Sequence, residues 1–171
     1  MVNIGRGVED VEDSLPRTPL SERGKRMEEK TILIVEDDDA CRSAMEKVLQ
    51  SHNYKTFSCA SGKHALMKLR EKLFGILITD YQMRGMDGLE LIKETRKIHP
   101  GISSILVSGV ATEGMSVRAN EQGVNGFFPK PIEWDELIGL LDALTREQRN
   151  RRGNKGIMDN DDEPPNHFKI F

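Results

Sequence analysis

The sequence predicts an α/β domain: a doubly wound, five-stranded parallel sheet with helices on both faces. Three observations lead there. Five short β-branched or apolar runs alternate with five segments whose apolar residues recur at helical spacing. The central runs "ILIV", "ILIT" and "SILVS" are continuously apolar, as strands buried on both faces are. Acids, a serine and a lysine follow four of the five runs, which suits a sheet whose strand ends carry a site.

The first run is "TILIV" (31–35), followed by the acidic stretch "EDDD", whose last member, Asp39, is placed to cap a helix. Ala40, Ala44, Met45, Val48 and Leu49 then form one apolar stripe. "YKTFSC" (54–59) is the second strand, with Ala65, Leu66 and Leu69 on the helix after it. "FGILIT" (74–79) is the third, ending on Asp80. Asp87 precedes "GLELIKETRK" with Glu90 three positions on, a capping-box-like spacing, and the helix it starts carries Leu89, Leu91, Ile92 and Ile98. "SSILVS" (103–108) is the fourth strand, and a weaker helical segment over 113–122 ends at Gly123. "GFFP" (126–129) is the fifth, before a helix with Trp134, Leu137, Ile138, Leu140, Leu141 and Leu144 on one side.

These elements place the domain at 30–147. Residues 1–29 mix charge with Pro, Gly and Ser and are expected to be a disordered N-terminal tail. Residues 148–171 run basic in "RNRRGNK", then acidic in "DNDDEPP", and are expected to be a charged, flexible tail. Two readings stay open for the terminal "HFKIF": an anchor that docks on a partner or back on the domain, or the end of that flexible tail.

Composition sets outer limits. A chain of 171 residues with net charge −3 fits one domain with tails and gives no argument for a nucleic-acid or membrane-surface binder. No apolar run is long enough to span a bilayer, and the polar N-terminus lacks the core of a secretory signal, so a soluble, cytoplasmic protein is expected. Cys41 and Cys59 form no CxxC and lie near no His at ligand spacing; both are expected as buried or semi-buried reduced thiols. His52, His64, His99 and His167 follow no predicted strand and are assigned to surface or packing.

The chemistry gathers at the strand ends. Glu36 and Asp37 follow the first strand, Asp80 the third, Ser108 ends the fourth, and Lys130-Pro131 follow the fifth. Three carboxylates at one place do not all stay ionised without a counter-charge. A hard divalent cation such as Mg²⁺ supplies it, taking one or two carboxylates and keeping room for water and phosphate oxygens. A lysine meets a phosphate as a point charge, a hydroxyl hydrogen-bonds a phosphoryl oxygen, and an aspartate serves as a nucleophile that forms an aspartyl phosphate. Together these point to Mg²⁺-dependent phosphorylation of a carboxylate.

The segments "ILIVEDD", "LITDYQMRGMDGLEL", "ILVSG" and "FFPKPI", in this order over 30–147, resemble the receiver domain of bacterial two-component response regulators. The resemblance implies a flavodoxin-like (βα)5 fold with strand order 2-1-3-4-5. It implies that Asp80 is the phosphoacceptor, that Glu36 and Asp37 arrange Mg²⁺ together with Asp80 and the backbone carbonyl of Gln82, and that Lys130 contacts the phosphoryl group. Ser108 matches the switch hydroxyl and Phe127 the aromatic switch position. Pro131 follows the lysine, in a family where that bond is often cis. The implied donor is a phosphohistidine on a sensor histidine kinase or phosphotransfer protein. The implied role is phosphoacceptor signalling rather than enzymatic turnover, in a phosphorelay that switches a protein-binding surface. Pairing of copies through the face of the fourth and fifth helices is common in the family.

Some positions depart from the pattern. Arg84 stands where the family usually has proline. Gln82 stands where an aspartyl-nucleophile phosphatase needs a second aspartate, which argues against that class. Little chain follows the last helix, so a stand-alone, chemotaxis-regulator-like receiver is expected, its downstream target a protein. The competing reading is a receiver-fold scaffold that binds without phosphorylation.

Overall fold

The computed structural model describes residues 28–110, 113–153 and 169–170. The chain runs β1 (Glu28–Val35), α1 (Asp39–Ser51), β2 (Lys55–Cys59), α2 (Gly62–Glu71), β3 (Phe74–Asp80), α3 (Gly88–Ile98), β4 (Ser103–Ser108), α4 (Glu113–Glu121), β5 (Gly126–Pro129), α5 (Trp134–Gly153) and β6 (Lys169–Ile170). All strands pair in parallel, in the order β2-β1-β3-β4-β5-β6. The first five reproduce the predicted 2-1-3-4-5 order, and β6 adds a short strand outside β5.

Strand alternation builds two cores from one sheet, because successive side chains point to opposite faces. Leu33, Val35, Leu77, Leu106 and Phe127 point one way and pack on Ala65, Leu69, Leu89, Ile92 and Ala119 of α2, α3 and α4. Their neighbours Ile32, Ile34, Ile76, Ile78, Ile105, Val107 and Phe128 point the other way, onto Met45 and Leu49 of α1 and Leu137, Leu141 and Leu144 of α5. β3 and β4 are buried along their whole length, as continuous apolar strands require. Each large side chain removed from water contributes roughly 1.5–3 kcal/mol, so the two layers dominate stability.

Helix starts are fixed by short polar caps. Asp38 Oδ1 accepts from the Cys41 N–H at 2.7 Å, Ser61 caps α2, and Asp87 Oδ1 accepts from the Glu90 N–H at 2.8 Å. The cap of α1 is therefore Asp38, one residue before the expected Asp39. α4 ends through Gly123, at φ +64°, with the Val124 N–H returning to the Ala119 carbonyl.

The structure differs from the sequence reading in several places. β1 begins at Glu28 and α5 continues to Gly153, past the expected boundaries at 30 and 147. The extension of α5 is polar, so apolar periodicity does not reveal it. It is held by the Arg151–Glu147 pair at 2.6 Å and by buried Gln148, whose amide donates to the Gly75 carbonyl at 2.8 Å and the Ser103 hydroxyl at 3.0 Å. Ala40, Ala44 and Cys41 are exposed; only Met45 and Leu49 of that stripe are buried, with Val48 half-buried. Cys59 is buried as expected. His99 is buried against the Leu69 carbonyl, a packing role. The predicted tails fall largely on residues 1–27, 154–168 and 171, which lie outside the described residues, as does His167.

Candidate functional site

β1 is hydrogen-bonded to β2 on one side and β3 on the other, so the sheet's switch point lies between β1 and β3. Glu36 and Asp37 leave the end of β1 and Asp80 ends β3, side by side beyond the strand register Val35–Thr79. β5 delivers Lys130 to the same edge.

Lys130 Nζ lies 2.7 Å from Glu36 Oε2 and 2.7 Å from Asp80 Oδ1. Glu36 and Asp80 are 1 % and 4 % exposed, so these charge-assisted bonds sit largely out of water. Carboxylate oxygens of Glu36, Asp37 and Asp80 all fall within 4.8 Å of one another. Burial raises the Glu36 pKa above the usual carboxylate range; the Lys130 bond opposes that shift and the charge of Asp80 adds to it. Burial works to lower the Lys130 pKa, but the bonds to Asp80 and Glu36 outweigh it and carry it to about 12. One fixed cation therefore faces three carboxylates. The remaining deficit of positive charge, in an all-oxygen donor set with half-exposed Asp37 as its entry, fits a hard divalent ion.

The surrounding backbone makes the cluster rigid. The Glu36 N–H donates to the Cys59 carbonyl at 3.1 Å, and the Glu36 carbonyl accepts from Arg42 Nη1 at 2.7 Å. The Asp38 N–H reaches Glu36 Oε1 at 3.3 Å. On the other strand, the Thr79 hydroxyl donates to the Asp80 carbonyl at 3.0 Å and the Tyr81 N–H to the Val107 carbonyl at 2.7 Å. Gly88, the first residue of α3, lies so close that a Cβ there would come within 2.3 Å of the Asp80 carbonyl oxygen. Its N–H donates to the Tyr81 carbonyl at 3.0 Å, closing the loop 81–87.

That loop accounts for Arg84. Its backbone N–H points at Asp37 Oδ2, 3.4 Å away, while the side chain is exposed. A proline has no N–H to offer there, so the departure from the family pattern adds a donor to the acidic cluster.

The remaining predicted residues are placed differently. Ser108 is buried at the end of β4, but its hydroxyl donates to the Val110 carbonyl at 2.7 Å and accepts from the Val110 N–H at 3.1 Å, so it is turned to its own loop. Phe127 is 2 % exposed and packs in the α2–α3–α4 core. Gln82 is exposed in the loop after β3. The Lys130–Pro131 bond is cis. Thr79, Arg42 and Gly88 were not singled out from sequence. For Gly88 the signal was available, a glycine directly after a cap residue in the loop that follows the central acid.

A profile of the Response regulator receiver domain family matches residues 32–142. Sensor kinase CckA of Brucella abortus (strain 2308) is 34 % identical over 140 residues, covering 76 % of this chain and 15 % of that protein. The DNA-binding transcriptional regulator NtrC of Klebsiella pneumoniae is 32 % identical over 120 residues, covering 70 % of this chain and 26 % of the relative. The chain thus spans about a quarter or less of these two relatives. Among solved structures, a CheY-like receiver domain protein from Methanospirillum hungatei JF-1 superposes with TM-score 0.67 at 27 % identity, covering 71 % of this chain and 97 % of that one. A receiver protein from Pseudomonas putida does so with TM-score 0.63 at 28 % identity, over 66 % and 95 % of the two chains. Among the described residues no helix is long and apolar enough to cross a membrane. With the parallel sheet in the order 2-1-3-4-5 and the acidic cluster at its switch point, these matches make the chain a member of the response regulator receiver domain family, the phosphorylation-signalling module of two-component systems.

Proposed function

We propose that the chain is a response regulator receiver that accepts a phosphoryl group on Asp80 and so switches a protein-binding surface. The observation that carries this reading is Lys130, held at 2.7 Å from both Glu36 and Asp80 with Asp37 completing the cluster. The donor is a phosphohistidine on a sensor kinase or phosphotransfer protein. An Asp80 carboxylate oxygen forms the new P–O bond as the P–N bond breaks, and the leaving imidazole takes up a proton. Glu36, Asp37, Asp80 and the Gln82 carbonyl would hold Mg²⁺, which would supply charge neutralisation for the phosphoryl oxygens.

Phosphorylation adds about −1.5 to −2 charges and three acceptor oxygens. Lys130 is already within reach of the carboxylate that receives them. Ser108 leaves Val110 to donate to a phosphoryl oxygen, and the segment after β4 moves with it. Phe127, on β5 between β4 and the outer edge, reads that movement. The setting is cytoplasmic and the downstream target is a protein.

The test is incubation with acetyl phosphate and Mg²⁺, followed by intact mass. The expected result is one added phosphoryl group, labile to hydroxylamine as an acyl phosphate, and none on Asp80→Asn. An acid-stable mark, or equal labelling of Asp80→Asn, overturns the proposal. A wild-type chain that takes no label from acetyl phosphate or from a phosphohistidine donor supports the scaffold reading instead.

A further inference from the structure

A sheet that stopped at β5 would present an open edge. Asn125, just before β5, gives its N–H to the Ser104 carbonyl at 2.8 Å on the β4 side. Alternation along an extended chain then turns the backbone groups of Gly126 and Phe128 away from β4, to the outer side. Such an edge is a template for another strand. Here Lys169–Ile170 occupies it, in parallel register with Gly126 opposite Lys169 and Phe127 opposite Ile170.

Chain geometry permits this pairing without crossing the acidic site. Gln148 of α5 bonds Gly75, the second residue of β3, and Ser103, the first of β4, so the end of α5 lies at the amino-terminal edge of the sheet. β6 runs parallel to β5 and starts from that same edge. Residues 154–168 join the two, a connector able to reach roughly 50 Å when extended. The terminal "HFKIF" is rich in aromatic and β-branched residues, which favour strands.

We propose that the outer edge of β5 is a strand-addition site whose occupant is this chain's own C-terminal segment, so that any extended segment of a partner that reads this edge must displace the tail. This is peptide recognition by strand addition, in which backbone hydrogen bonds supply affinity and the neighbouring surface supplies selectivity. Tethering sets an effective tail concentration on the order of millimolar, and a competitor must match that to win. A two-residue ladder opens readily, which makes the tail a displaceable occupant rather than a permanent sixth strand. The edge is also mechanically close to the site: Phe127 pairs with Ile170 and Lys130 follows three residues along the same chain. The assignment does not depend on phosphorylation of Asp80.

Amide hydrogen exchange by NMR on the full-length chain tests it, with no phosphoryl donor present. The Phe128 N–H is the reporter, and the amides of Ile76–Ile78 in β3 report that the fold is intact. Ile170→Pro, and separately Lys169→Pro, are expected to speed exchange at Phe128 about tenfold or more while leaving β3 unchanged. Adding a peptide of residues 166–171 at millimolar concentration to full-length Ile170→Pro is expected to restore protection. Unchanged Phe128 exchange in both variants, or no rescue by the peptide, overturns the proposal. Wild-type protection that rises with protein concentration while the chain sediments as a dimer also overturns it, because the occupant is then a second copy.

Discussion

Asp37→Asn separates the electrostatics of the acidic cluster from its chemistry. Among the described residues the cation bonded to the carboxylates of the cluster is Lys130, which pairs with Glu36 and Asp80. Asp37 therefore sits as a third carboxylate within 4.8 Å of the other two. At that separation one pair of unit charges repels by about 0.9 kcal/mol with the dielectric of water and about 3.5 kcal/mol at an effective value of 20. Asp37 is half-exposed, which places the cost near the lower figure, so about 1 kcal/mol is the working estimate. Asparagine keeps an oxygen for the Arg84 N–H and removes only the charge. In EDTA the variant should be about 1 kcal/mol more stable than the wild type, a rise in Tm of about 3–5 °C. Mg²⁺ at ten times its Kd should stabilise the wild type by about 1.4 kcal/mol and the variant by almost nothing. Urea unfolding in EDTA and in Mg²⁺ measures all four states. A variant that is less stable than wild type in EDTA, or that keeps the full Mg²⁺ increment, refutes the reasoning.

Two further substitutions probe the scaffold. Gly88→Ala forces a Cβ to within 2.3 Å of the Asp80 carbonyl and 2.8 Å of Leu106 Cδ1, and should cost about 2–4 kcal/mol by urea midpoint; a loss under 1 kcal/mol would show that α3 moves aside freely. Arg96 donates to the Gln122 and Gly123 carbonyls and so ties the end of α4 to α3. Arg96→Ala should cost about 1–3 kcal/mol and speed amide exchange across Ala119–Val124 before it does so in β3, while uniform acceleration would refute a local clamp.

The layered fold and the site were readable for one reason. A parallel sheet buried on both faces writes its strands as continuous apolar runs, and its functional groups must follow them. Glu36, Asp37, Asp80 and Lys130 are read by position alone, and the structure brings them together. What was not readable depends on partners distant in sequence or on local backbone angles. Asp38 rather than Asp39 caps α1 because the cap is the residue with extended φ and ψ, and a run of acids hides which one that is. Gln148 looks like the start of a polar tail until Gly75 and Ser103 are beside it. Arg84 is only a missing proline until its N–H is seen to face Asp37. β6 is two residues long, and its pairing partner lies far back along the chain.

The Ser108 hydroxyl has a resting engagement of its own, giving one hydrogen bond to Val110 and taking another. On the switch reading this fixes the background of the signal. Two such bonds bias the resting arrangement by about 1–3 kcal/mol, which leaves roughly 1–15 % of molecules in the turned arrangement with no phosphoryl group present. On that reading the Val110 backbone, by holding or releasing the hydroxyl, would set how quiet the unstimulated protein is, and substitution of exposed Val110 would become a way to tune noise without touching the acidic residues.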